Sequence, residues 1–218
     1  LTEPDADELI ALFRKCRDHG KHISIMGHFS HYQELGPITL EAVRRLREEG
    51  GATIRTQSPV MQHINDDANV WATMWDKQIQ NGMIPYYMFV ARDTGAQHYF
   101  EVPLARALNI YQEARKQVSG LGHTARGPSM SCGPGKICVV GQETVAGEHV
   151  FILKFLQGRN NDWCDRVFFA KYDEKATWID QLTPAFGEKK FFFEDEYHAI
   201  IDEKHRKYND MIKNGASA

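Results

Sequence analysis

The sequence predicts an α/β protein: a partial (β/α) barrel or small open parallel sheet, then a β-hairpin segment and a C-terminal helix. Three observations predict it. Apolar strand-like runs and helix-period segments alternate three times at roughly thirty-residue intervals, the pattern of βα units. Beyond Gly120 the alternation gives way to two strand-like runs around Ala146 and Gly147, a hairpin signature. The last charged stretch spaces Tyr197, Ile200, Ile201 and Tyr208 loosely as a helix does.

In order, Leu9, Ile10, Leu12, Phe13 and Cys16 share one face of a first helix, with Asp5 and Asp7 near its start and Gly20 at its end. The chain opens on Leu1 and has no strand before this apolar stripe, so it reads as the carboxyl-terminal part of something longer. HISIMGHF at 22–29 is a buried strand. Residues 39–49 are a helix with Thr39 as cap, an inner face of Ala42, Val43 and Leu46, and Gly50 as stop. A short strand at 52–57 leads to a helix at 67–80, whose inner side carries Val70, Trp71, Met74, Trp75 and Ile79. IPYYMFV at 84–90 is the third strand; a long loop runs to Pro103, which opens a helix at 104–118. Residues 136–142 and 149–156 form the hairpin, 163–186 are irregular and aromatic-rich, 191–213 are the terminal helix, and 214–218 fray. Domain bounds of 1–125, 126–186 and 187–218 follow.

Composition excludes several classes. With 218 residues, 42% hydrophobic and 25% charged, the chain has an ordinary globular make-up and length for a core. A formal charge of −3 leaves no electrostatic footprint for nucleic acid or an anionic membrane. There is no apolar run long enough to span a bilayer and no signal-peptide pattern, which points to the cytoplasm. Cys16, Cys132, Cys138 and Cys164 are scattered, as reduced thiols are, and make no metal motif.

The chemistry centres on PSMSCGPGK at 128–136. Gly133 and Gly135 open backbone angles closed to other residues, and Pro134 stiffens the turn between them. A lysine presented there in a partly dry site can lose its proton and form a Schiff base. The same nine residues also suit a solvated lysine that opens a hairpin. In a parallel sheet, ligands belong at the carboxyl ends of the strands. Those ends carry His28 to His31, Gln57 and Ser58, and Arg92 and Asp93, all facing one side.

Four blocks carry a resemblance to the lysine 2,3-aminomutase family of radical S-adenosylmethionine enzymes that also use pyridoxal phosphate. They are GHFSHYQEL at 27–35, TQSPVMQHINDD at 56–67, IPYYMFVARDTGAQHYFEVP at 84–103, and GHT at 122–124 with the glycine-rich turn ending at Lys136. The resemblance implies the later βα units of a TIM-type barrel of radical-SAM kind. It also implies an isomerase that shifts an amino group between the α and β carbons of an amino acid. The cofactors implied are S-adenosylmethionine, pyridoxal 5'-phosphate and a [4Fe–4S] cluster. By position Lys136 matches the cofactor lysine, and His28 and Gln57 match residues lining the S-adenosylmethionine site. Asn65 and Asp66 match an ND pair, for which a helix cap is an equal reading.

Two departures qualify this. The cluster-binding cysteines would precede Leu1, so the polypeptide needs that missing region and should be inactive alone. Where lysine-acting members place two aspartates to grip the substrate's distal ammonium, gap-free alignment puts Arg92 and Ser129; a one-residue gap puts Asp93 in the first place. Arginine repels an ammonium and pairs with a carboxylate, so an acidic or neutral amino acid is expected as substrate. Asp67 stands where a zinc cysteine would fall, and no metal ligand is assigned. A homo-oligomer is expected. Two other readings stand beside this one: a metal-dependent hydrolase using His28, His31 and Asp66 or Asp67 at the strand ends, and a non-catalytic fragment that needs a complementary chain.

Overall fold

The computed structural model describes residues 3, 6–92 and 94–215. They fall into two compact units, one of residues 1–130 with 174–178, the other of residues 131–173 with 179–218. Asp5 and Asp93 lie outside the described residues, as do 216–218 of the stretch expected to fray.

The first unit is built on four parallel strands: β1 (Ser24–His28), β2 (Thr53–Val60), β3 (Met83–Val90) and the start of β4 (Arg126–Cys132). The helices α1 (Ala6–Asp18), α2 (Pro37–Arg44), α3 (Ala68–Gln80) and α5 (Leu104–Gln117) run between them or flank them, with a single turn, α4 (Gln97–Phe100), in the long loop. The sheet is open rather than a barrel, because β1 at its edge has one strand neighbour, β2. Three βα repeats lack the strands needed to close the ring.

Alternation along β2 shows how the sheet is covered. Ile54, Thr56, Ser58 and Val60 are buried, while Arg55 between them is exposed. Ile54 and Val60 pack into a core with Trp71, Met74 and Trp75 of α3 and with Ala107, Ile110 and Tyr111 of α5. Trp75 meets Trp71 at 5.5 Å and Tyr111 edge-on at 6.1 Å between ring centroids. The Tyr111 hydroxyl donates to the Ala125 carbonyl at 2.7 Å, which ties α5 to the entry of β4. The Thr56 hydroxyl donates to Gln78 Oε1 at 2.7 Å, so the polar groups under the sheet are satisfied as well as buried.

Several bounds differ from the sequence reading. The second helix starts at Pro37 on a Gly36 cap, since proline suits the first helical turn, and Thr39 sits inside it. Its last part, Arg45–Glu49, is a π turn that ends at Gly50. Asp67 caps α3 by accepting from the Asn69 N–H at 2.7 Å.

The second unit is antiparallel. β5 (Gly135–Val145) and β6 (Glu148–Gly158) form the hairpin, and β7 (Val167–Lys171) pairs with β6. Ala146 and Gly147 make the turn, both with positive φ, as a two-residue hairpin turn requires. The triple phenylalanine is not helical: α6 (Glu194–Gly215) starts after it. Phe191 and Phe193 are buried instead among Phe155, Trp163 and Phe168. The Trp163 Nε1–H donates to Glu196 at 2.9 Å, fastening the start of α6 to the end of the hairpin.

Candidate functional site

Each unit holds part of the predicted site. In the first, the parallel register sets His28, the last residue of β1, directly beside Gln57, which lies three residues inside β2 because that strand runs on past the expected end at 57 to Val60. His28 is exposed and Gln57 half-buried, and neither side chain bonds to another described residue. Arg92 follows the end of β3 and is exposed. Ser129 is fully buried, beside Phe89 in register, and its hydroxyl donates to the Met88 carbonyl at 3.4 Å. Asp93, the other candidate at that strand end, is not among the described residues.

Behind these ends sits a support that the sequence reading left between a cap and a site role. Asn65 is completely buried. Its Oδ1 accepts from the Met61 N–H at 2.6 Å, and its Nδ2 donates to the carbonyls of Ser30 at 2.8 Å and Pro59 at 3.0 Å. The Trp71 indole donates to the Asn65 carbonyl at 2.7 Å. One amide thus joins the loops after β1 and β2 to α3. Asp66 accepts from the His63 N–H at 3.1 Å and pairs with Arg106 at 2.6 Å. The helix cap is the next residue, Asp67.

The histidines expected of a hydrolase do not gather. His31 Nδ1 accepts from the Gln33 N–H at 3.2 Å while Glu34 takes the His31 N–H, a reciprocal cap on the short helix Tyr32–Glu34. Among the described residues no three His, Cys, Asp or Glu side chains converge as a metal site does.

In the second unit the glycine-rich stretch is a tight turn, Gly133 and Pro134, between β4 and β5. Arg159 holds it from two directions: its N–H donates to the Pro134 carbonyl at 2.9 Å, and its Nε to the Gly133 carbonyl at 3.0 Å. A Cβ on Gly133 would stand 2.2 Å from the Tyr197 hydroxyl of α6, and one on Gly135 would stand 2.1 Å from the Gln157 carbonyl oxygen. Glycine is therefore required at Gly135, where the neighbour is backbone, while at Gly133 an added methyl group would have to displace the end of the Tyr197 side chain. Lys136 follows, half-buried, opposite Gln157 and next to a bulge that shifts the β5–β6 register. Bulges re-aim side chains at strand ends. Cys132 Sγ donates to the Gly135 carbonyl at 3.2 Å, and burial pushes its thiol up to about 11.

One cluster was missed by sequence reasoning. On the sheet face away from the helices, Arg55 lies 4.9 Å and Arg126 4.3 Å from the centroid of the Tyr86 ring. The alternation of TIRTQ, with Arg55 between two buried positions, was the available signal; Tyr86 and Arg126 gave none, because β4 carries no alternation.

No protein-family model matches the chain. Over 190 residues it is 29% identical to a putative L-lysine 2,3-aminomutase of Aquifex aeolicus, which covers 87% of this chain and 49% of that protein. It is 29% identical over 98 residues to the L-lysine 2,3-aminomutase of Escherichia coli, 45% of this chain and 28% of that one. A putative L-lysine 2,3-aminomutase of Treponema pallidum is 29% identical over 136 residues, 61% of this chain and 36% of its own length. The chain thus spans about half the length of the Aquifex relative. The likeness drawn from four sequence blocks is one this chain shares with curated proteins that bear the name lysine 2,3-aminomutase.

Proposed function

We propose that the chain is the carboxyl-terminal portion of a radical S-adenosylmethionine, pyridoxal phosphate-dependent amino acid 2,3-aminomutase, its open parallel sheet being the later part of a barrel. The observation that carries this is the similarity to a putative L-lysine 2,3-aminomutase over 190 residues, 87% of this chain. Pyridoxal phosphate, when bound, supplies an electron sink for moving the amino nitrogen. The residues present fit it at one point: Lys136 is a half-buried residue beside a bulge, after a turn that Arg159 holds by two hydrogen bonds. His28 and Gln57, adjacent and without a side-chain bond to another described residue, offer donors and acceptors for the polar groups of S-adenosylmethionine. In this reading the ligands of the iron–sulfur cluster lie in a region outside this chain.

Incubation with pyridoxal phosphate and borohydride tests the lysine. Mass spectrometry is expected to find one phosphopyridoxyl group on Lys136, absent from Lys136→Ala; label on other lysines alone overturns the assignment. The substrate is an acidic or neutral amino acid, because Arg92 at the β3 end disfavours an ammonium. Competition between glutamate and lysine in the full-length enzyme decides this: faster turnover of lysine ends the proposal.

A further inference from the structure

We infer that the helix-free face of the parallel sheet holds a binding site for a small organic oxyanion, built from Arg55 and Arg126 on the Tyr86 ring. The two guanidinium carbons stand 4.9 Å and 4.3 Å from the centroid of that ring, so they are no further apart than those distances combined. Arg126 also lies 4.7 Å from the Tyr87 ring, which meets Tyr86 edge-on at 4.5 Å. Two cations brought to one ring repel each other, and each contact with an exposed ring returns only about 0.5–1 kcal/mol.

Several other arginines of this unit pair with carboxylates, whereas Arg115, on the Tyr111 ring, pairs with none among the described residues. Arg14 pairs with Glu49, Arg44 with Glu41, Glu48 and Glu49, Arg45 with Asp7, and Arg106 with Asp66. Among the described residues no carboxylate pairs with Arg55 or Arg126. The exposed positions beside Arg55, Met26 and Ile84, are apolar and offer it no counter-charge. Burial pushes the Tyr86 phenol up, but the charge and hydrogen bond of Arg126, aided by Tyr87 and Arg55, bring it below its ordinary value. The local field therefore favours negative charge. Guanidinium forks match the oxygens of a carboxylate or a phosphate monoester, and the aromatic wall fixes their planes.

The site stands on this geometry whether or not the aminomutase reading holds. Calorimetric titration of the chain with inorganic phosphate and with glutarate, each at constant ionic strength against chloride, tests it. Saturable binding of at least one is expected. Arg55→Gln and Arg126→Gln should each weaken it by about tenfold or more, and Arg14→Gln, already paired, should leave it unchanged. Preference for phosphate assigns a phosphate ester, and preference for glutarate a carboxylate ligand. Bound anion should also raise the pH at which the tyrosine absorbance of the wild type, but not of Tyr86→Phe, shifts to the phenolate form. Arg55 is exposed, so its substitution leaves the core intact and its result stands even if the Arg126 variant fails to fold. Absence of saturable binding by both probes, or binding that Arg55→Gln leaves within about twofold, overturns the site.

Discussion

Asn65 illustrates how a motif residue can be spent on architecture. Its buried side-chain amide answers one N–H and two carbonyls, all partly buried, and leaves little for a ligand. Asn65→Asp keeps the shape but removes the donor and sets a carboxylate against two carbonyls. A loss of roughly 3 kcal/mol in urea unfolding is expected, from unsatisfied buried groups and an added charge. Gly133 carries a similar argument in the second unit. Gly133→Ala drives a methyl group into the Tyr197 hydroxyl and should cost about 1–3 kcal/mol, and Tyr197→Ala in the same chain should recover part of it. The Cys132 thiol, pushed up to about 11 by burial, holds little thiolate at neutral pH. Iodoacetamide labelling at this residue should rise steeply with pH up to that value, and a plateau by pH 9 would contradict it. None of these roles was legible from residue type, because each depends on what a distant segment places opposite.

Elements were more legible where a period ran long enough. The alternating helices and strands of the first unit appear where the apolar spacing predicts them, since burial on one face is the same fact read twice. Asp67 was visible as a residue out of place in a family pattern; as a cap it has an ordinary cause. Asp67→Ala should lower stability by about 1 kcal/mol by thermal unfolding, with Asp67→Asn nearly neutral. β4 and β7 were not foreseen. β4 begins Arg-Gly-Pro and is buried through Met130, so it shows no alternation, and β7 is five residues inside an aromatic-rich stretch. The triple phenylalanine carries no period that separates it from the last helix, and packing against Phe155 and Phe168 decides its place.

At the scale of the molecule, βα repetition announced a parallel sheet but not its extent. Whether a sheet closes depends on strands that have to be present, and three repeats leave β1 with a bare edge. Such an edge offers unpaired backbone groups to a neighbour. Sedimentation velocity over a concentration series should show the chain associating as concentration rises, and a strict monomer throughout would contradict it. Among the described residues no helix is long and apolar enough to cross a membrane. The position of the lysine turn was legible from glycine and proline alone, while its rigidity was not.

That rigidity has a consequence in time. The turn ahead of Lys136 is braced by two hydrogen bonds from Arg159, a residue that leaves the ribosome after it. A nascent chain halted before that arginine would carry Lys136 on a hinge without either bond, so the shape of the turn is a late event in the making of each molecule.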